Sequence, residues 1–369
     1  MREPVDVRRR QILATVQARG EVKLTDLAGE LEVSIITIRR DVEELTRAGK
    51  LRRGHGVARS VVPVQRAEPA AEPPGGTVGI VVPERHAYLF ETMNGAREVL
   101  QAAGVRPALL IAPQAPGTER PIIERALAAG VQGLLLAPRW RSTAAEEGDY
   151  DWLAATTADV PAVLMERRPR PGSVLHAMDS VCSDHWYGVH LAVEHLLALG
   201  HRRVVLAARD DSPTARAVRA AFAAIAEERS GGERWDVISS APDAEPDYGP
   251  GTPVELAALL RRRGATAAIL HGDVDALVLV QQLADAGLKV PQDCSVVAYN
   301  DVVAALGHPP LTAVAPPKSE IGRMAAEVLL RRLGHDGRGR TAGGAVAPSR
   351  VELLPALAVR GSTQAVTTV

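Results

Sequence analysis

Apolar residues follow two rhythms along this chain. In the first sixty residues they recur every three or four positions: Ile12, Leu13 and Val16, then Leu27, Ala28 and Leu31, then Ile35, Ile38, Val42 and Leu45. That spacing belongs to amphipathic helices with one buried stripe. It predicts a helix over 5–19 stopped by Gly20, an extended link at Val22-Lys23-Leu24, a short helix capped by Thr25 and a third helix capped by Ser34. From residue 77 the rhythm changes to short unbroken apolar runs alternating with helical stretches. Strands are predicted at Thr77–Val82, Ala108–Ala112, Val131–Leu136, Ala162–Met165, Arg203–Ala207, 266–270 and 295–299. Helices are predicted near 88–103, and at 119–129, 185–199, 213–228 and 274–286. Such alternation builds parallel sheets with crossover helices, which bind ligands at the carboxyl ends of their strands. Between the two rhythms, residues 59–76 have no periodicity, several prolines and a closing Gly75-Gly76, the composition of a semi-extended tether. The expected organisation is a head at 1–58, a linker at 59–76 and an α/β body at 77–369.

The third helix of the head carries the most informative chemistry, Ser34-Ile35-Ile36-Thr37-Ile38-Arg39-Arg40-Asp41. Ile36, Thr37, Arg40 and Glu44 lie opposite the apolar stripe, with Arg39 on the flank. An apolar Ile36 beside Thr37 is out of place on a solvated face. It suits a first turn that enters the major groove, where thymine methyls and base edges are read. Arg40 then reads a guanine edge or sits on a phosphate. After Gly49, Lys50-Leu51-Arg52-Arg53-Gly54-His55-Gly56-Val57 places two basic extended segments around glycines. This predicts a hairpin wing against the phosphates, using Arg52, Arg53 and His55.

Charge supports confining DNA contact to the head. The chain of 369 residues has a net charge of −1. Residues 1–60 hold 13 Lys+Arg against 9 Asp+Glu, a net of +4, and the rest hold 30 against 35, a net of −5.

The head resembles the DeoR family of bacterial repressors through Val33-Ser34, Thr37-Ile38-Arg39-Arg40-Asp41, Leu45, Gly49, Leu51, Arg53 and His55-Gly56. The resemblance covers about 55 residues and implies a winged helix-turn-helix. It departs at Val57, where the family carries another glycine.

The body resembles the LacI-type ligand-binding core, itself similar to periplasmic sugar-binding proteins. The shared residues include Ser183-Asp184 with Gly188, Glu194-His195-Leu196, Leu199-Gly200-His201-Arg202-Arg203, Val290-Pro291-Gln292-Asp293, Ser295 to Asp301, Pro309-Pro310-Leu311-Thr312, Ile321-Gly322 and Leu357 to Thr363. This implies two similar subdomains joined by crossing strands, an effector in the cleft and a homodimer. Candidate effector contacts follow from the strand ends. They are Tyr88 and Phe90 after the first strand, Arg139 and Trp140 after the third, either of which lines the mouth or simply covers the sheet, Asp184 and Trp186 at the start of the second subdomain, Asp273 and Asn300. Tyr88 falls on the family's aromatic pair, whose second place holds Leu89; an aromatic there stacks on a sugar or base face, or fills the core. Asp184 is a contact or a helix cap. The family's effector-gripping arginine lies four residues before an aromatic, and that slot here holds Val218. Arg216 and Arg219 flank it, and Arg216 is the nearer candidate. LacI-type regulators couple through a hinge helix, for which the Pro/Gly tether has no pattern.

Other classes are excluded or set aside. No phosphate-cradling Gly-x-x-x-x-Gly-Lys motif and no Cys/His cluster with metal-ligand spacing is present, so neither an enzyme, a metal site nor a cofactor is expected. Cys182 and Cys294 are too few for a disulfide framework. No apolar signal region opens the chain and no 18-residue apolar run occurs, which predicts a cytoplasmic protein without a membrane span. The expected function is a transcriptional repressor that binds double-stranded operator DNA and answers to a small effector, a carbohydrate or a nucleoside. The alternative is a cytoplasmic receptor whose head serves a contact other than DNA.

Overall fold

A computed structural model describes residues 5–60 apart from 20, 32, 48–49 and 55, and residues 75–366 apart from 85–86, 114–116, 230–234, 240–255 and 335–346. The chain divides into two compact units, Met1–Glu72 and Pro73–Val369.

The first unit holds helices α1 (Val5–Arg19), α2 (Leu24–Glu30) and α3 (Ile35–Arg47) and strands β1 (Glu21–Lys23), β2 (Leu51–Arg53) and β3 (Val57–Ser60). Its antiparallel sheet has the order β1-β3-β2, and β2 and β3 form the wing hairpin. The predicted stripe is buried: Ile12, Val16, Leu27, Ile38, Val42 and Leu45 meet in one core. Two readings need correction. Thr25 is not a cap, because the helix begins at Leu24 with Lys23 in the cap position and no side-chain bond there; Thr25 Oγ1 instead donates to Asp26 at 3.1 Å. Arg59 and Ser60, assigned to the linker, complete β3 by pairing with Arg52 and Leu51. The tether's remaining central residues, 61–74, lie outside the described residues.

The second unit contains two sheets. Its first lobe is built from β4 (Thr77–Pro83), α4 (Ala87–Ala102), β5 (Arg106–Ala112), α5 (Glu119–Ala128), β6 (Gly133–Leu136), α6 (Thr143–Thr156), β7 (Ala162–Met165) and β8 (Asp179–Ser183). The second lobe takes α7 (His185–Ala198), β9 (Val204–Ala207), α8 (Pro213–Arg229), β10 (Asp236–Ile238), α9 (Leu256–Arg263), β11 (Ala267–His271), α10 (Asp273–Asp285), β12 (Ser295–Tyr299) and β13 (Thr312–Ala315). The chain then returns to the first lobe through α11 (Lys318–Leu333) and β14 (Arg350–Leu353), and ends with β15 (Ala356–Ala358) in the second. The sheet orders are β14-β8-β7-β6-β4-β5 and β10-β9-β11-β12-β13-β15; among the described residues only the β13–β15 pair is antiparallel in these two sheets. The chain therefore crosses between lobes three times, at β8–α7, β13–α11 and β14–β15. Strands such as Leu134 to Leu136 and Val296 to Ala298 are buried on both faces, which is why they read as unbroken apolar runs.

Helix α11 seats on α4 at backbone distance. A Cβ added at Gly322 would lie 1.8 Å from the Thr92 carbonyl oxygen, and one at Gly95 would lie 2.1 Å from that of Ser319. Glycine is the residue these two positions require, because no side chain fits between the helices.

Candidate functional site

The exposed face of α3 is built from its first two turns. Ser34 Oγ accepts the Thr37 N–H at 3.2 Å and lies 2.8 Å from the Thr37 hydroxyl, so the predicted cap is in place. With the stripe turned inward, Ile36 is left 73% exposed, and Arg39 and Arg40 are exposed beside it. Arg52 is exposed on the wing, whereas the Arg53 side chain and His55 lie outside what is described.

The position of α3 is set by a group outside the predicted set. Asp41 is only 3% exposed, and its carboxylate takes Arg8 Nε at 2.7 Å and Arg9 Nε at 2.9 Å from α1. A signal existed: positions 38, 41, 42 and 45 share one helical face, so Asp41 falls on the buried stripe. A buried carboxylate demands a cation, and the Arg8-Arg9 run supplies two.

In the body, the carboxyl ends of both sheets converge on a polar cluster. Tyr88 donates to Glu166 Oε1 at 2.5 Å, and Glu166 Oε2 is 3.7 Å from His185 Nε2. His185 Nδ1 is 3.3 Å from the Tyr299 hydroxyl, and the His271 ring lies 5.7 Å from that of Tyr299. Lys318 Nζ reaches the Asn300 carbonyl at 2.9 Å and stands 5.7 Å from the centre of the Tyr88 ring. Glu166, Asn300 and Asp301 hold left-handed backbone at φ 54°, 102° and 51°, strain retained where these loops meet. Three buried polar atoms here have no protein partner: Ser183 Oγ, His271 Nε2 and Asn300 Oδ1. Beside the cluster opens a cavity of about 570 Å³, lined among others by Glu146, Glu166, Ser183, Asp184, Trp186 and Arg216.

The predicted contacts divide accordingly. Tyr88 and Asn300 belong to the cluster, and Asp184, Trp186 and Arg216 line the cavity. Asp184 also caps α7, accepting the Tyr187 N–H at 2.9 Å, so the two readings of that residue coexist. The others are held in different ways. Phe90 is 64% exposed on α4. The Arg139 N–H donates to Glu119 at 3.2 Å. Trp140 is a core residue, 2% exposed, with Nε1 donating to Asp149 at 3.1 Å. Asp273 is a loop staple: its Oδ2 accepts the N–H groups of Val302, Val303 and Ala304 at 2.5, 2.6 and 3.0 Å. Glu166, Ser183, His185, His271 and Lys318 were not legible as site residues, because none stands out by type or spacing.

Burial pushes His185 and His271 down to about 4, so both rings are neutral at pH 7. Burial raises Glu166, against the opposing hydrogen bond from Tyr88. The histidines are depressed relative to the unfolded chain, so their contribution is present above about 6.5 and is lost as pH falls toward 4. The loss reaches roughly 3 kcal/mol per ring by pH 4. Glu166 acts in the opposite sense. Thermal unfolding of the body followed from pH 7 to 4 is expected to fall steeply, and His271→Gln to flatten the slope; an unchanged slope in the variant contradicts this assignment.

An amphipathic head with an exposed reading turn, joined to a two-lobed body with a polar cleft, defines a DNA-binding regulator that senses a small molecule. Residues 8–64 match the DeoR-like helix-turn-helix domain and residues 193–363 the periplasmic binding protein-like domain. The HTH-type transcriptional regulator reg1 of Streptomyces lividans is 30% identical over 355 residues, spanning 92% of this chain and 96% of its own. The HTH-type transcriptional repressor PurR of Haemophilus influenzae is 30% identical over 219 residues, 58% of this chain and 60% of its own. A LacI family regulator from Mycobacterium smegmatis superposes with a TM-score of 0.59 at 26% identity, over 78% of this chain and 99% of its own. One from Enterococcus faecium, with bound ribose, gives 0.60 at 22%, over 79% and 100%. The chain belongs to the LacI-type transcriptional regulators, and its head is of the DeoR type.

Proposed function

We propose that this regulator is a cytoplasmic repressor whose effector is an uncharged carbohydrate bound between the lobes. The observation that carries the reading is the set of unpartnered buried atoms, Ser183 Oγ, His271 Nε2 and Asn300 Oδ1. A hydroxyl, a neutral ring nitrogen and an amide oxygen together suit the hydroxyl groups of a polyol. A charged effector fits poorly, because each arginine lining the cavity already faces a carboxylate. Arg168 meets Glu352 at 2.8 Å, Arg170 meets Glu147, and Arg216 meets Glu146 at 3.3 Å. Ribose in the Enterococcus faecium relative belongs to the same chemical class. On the DNA side, Ile36, Thr37 and Arg40 read base edges while Ser34, Arg39, Arg52, Arg53 and His55 lie along the phosphates. A homodimer presents two heads to a two-fold operator.

A ligand selective for the folded state raises apparent stability. Thermal melting of the full chain against neutral sugars, sugar phosphates and nucleosides is the test. A neutral sugar is expected to raise the midpoint; stabilisation confined to a phosphorylated sugar or a nucleoside overturns the reading.

A further inference from the structure

Arg216 reaches across the cleft. It stands on α8, whose Val218, Ala221 and Phe222 belong to the second lobe's core. Its guanidinium donates to the Arg141 carbonyl at 3.2 Å, the Trp140 carbonyl at 3.1 Å and Glu146 Oε2 at 3.3 Å. Trp140, Tyr150 and the first-lobe strands share another core, so all three acceptors are on the opposite lobe.

The acceptors are prepared for it. Glu146 is 5% exposed; its other oxygen is taken by the Tyr150 hydroxyl at 2.5 Å. Trp140 holds φ at 37°, a left-handed conformation that a large side chain rarely adopts. Its buried indole, bonded to Asp149, keeps the turn in place and leaves its carbonyl facing Arg216. A planar fork satisfied by two carbonyls and a carboxylate is a fixed contact between the lobes.

We propose that Arg216 and Glu146 form a latch that holds the two lobes together in the effector-free protein. In this role Arg216 does not grip the effector. It sets the fraction of free receptor that is already closed. A smaller closed fraction lowers apparent effector affinity in proportion. Three hydrogen bonds to one guanidinium make a shift of about tenfold or more in the open–closed ratio the expected effect of removing it.

The test needs no effector, so it stands or falls independently of the carbohydrate reading. Spin labels are placed at Ala144→Cys on α6 and Ala224→Cys on α8, both exposed; the native Cys182 and Cys294 are buried. Pulsed electron resonance on the full chain is expected to give one narrow distance distribution. R216M and E146Q are each expected to add a longer population, the larger one in R216M because Arg216 keeps its two carbonyl acceptors in E146Q, and the double variant to add no more than R216M alone. E146Q keeps the size of the side chain and an acceptor for Tyr150, so it preserves the fold if R216M does not. An unchanged distribution in folded E146Q, or additive effects in the double variant, overturns the latch.

Discussion

Replacing Asp41 with alanine is expected to abolish operator binding by a residue that touches no DNA. Removal leaves Arg8 and Arg9 facing an apolar gap under α3. Stripping one partner from a buried ion pair costs about 3–5 kcal/mol, and the partial exposure of Arg9 brings the figure here to roughly 2–4 kcal/mol. That is a large part of what a head of this size possesses, at ~0.05–0.15 kcal/mol per residue. Loss of the head's protection in hydrogen exchange, with the body unaffected, is the expected signature. Asp41→Asn retains the shape and one acceptor and is expected to lose less. Full DNA affinity in Asp41→Ala would falsify the positioning role.

Gly322→Ala is expected to be the most damaging single methyl group in the body. Its Cβ would stand 1.8 Å from the Thr92 carbonyl oxygen and 2.9 Å from the Ala96 nitrogen, both backbone atoms that cannot rotate away. The helices must separate, opening a core in which Ile321, Ala325 and Leu329 pack against Leu89 and Ala96. Ordinary overpacking costs about 1–3 kcal/mol, and a backbone clash at a helix crossing belongs above that, at about 3–5 kcal/mol. A fall of roughly ten degrees in the body's melting midpoint is the expected measurement. A midpoint within a degree or two of the wild type would mean that α4 and α11 do not cross as closely as described.

Much of the fold was legible because burial writes a period into the chain. The head's stripe and the strands 162–165 and 295–299 were read at the positions where they stand. The elements that the sequence leaves illegible are weakly patterned. Helix α6 begins with Thr143-Ala144-Ala145-Glu146-Glu147 and holds Gly148, and β8 starts on Asp179, a buried acid held by Arg332 at 2.7 Å and the Ser349 N–H at 2.7 Å. Helix α11 has a wide buried face that includes Gly322 and Lys318, which blurs its stripe. The site was harder still. Tyr88, Asp184, Trp186 and Asn300 follow from strand ends, but Glu166 and His271 matter because two sheets bring them together from far apart in sequence. Asp273 differs for the complementary reason, and Trp140 takes the sheet-covering one of its two readings: a strand end also has to be built, and these two side chains build it.

The proposed repressor joins two halves in one chain, a DNA reader and a sensor for an uncharged carbohydrate. Its most direct test is the affinity of the full protein for an operator selected from random duplex DNA, measured by fluorescence anisotropy with and without the sugar that stabilises the body. A two-fold symmetric duplex should be bound, and the sugar should weaken that binding by about 5- to 150-fold, the usual range of coupling between two sites. Selection of no specific sequence, or an operator affinity indifferent to every sugar that stabilises the body, would contradict the account.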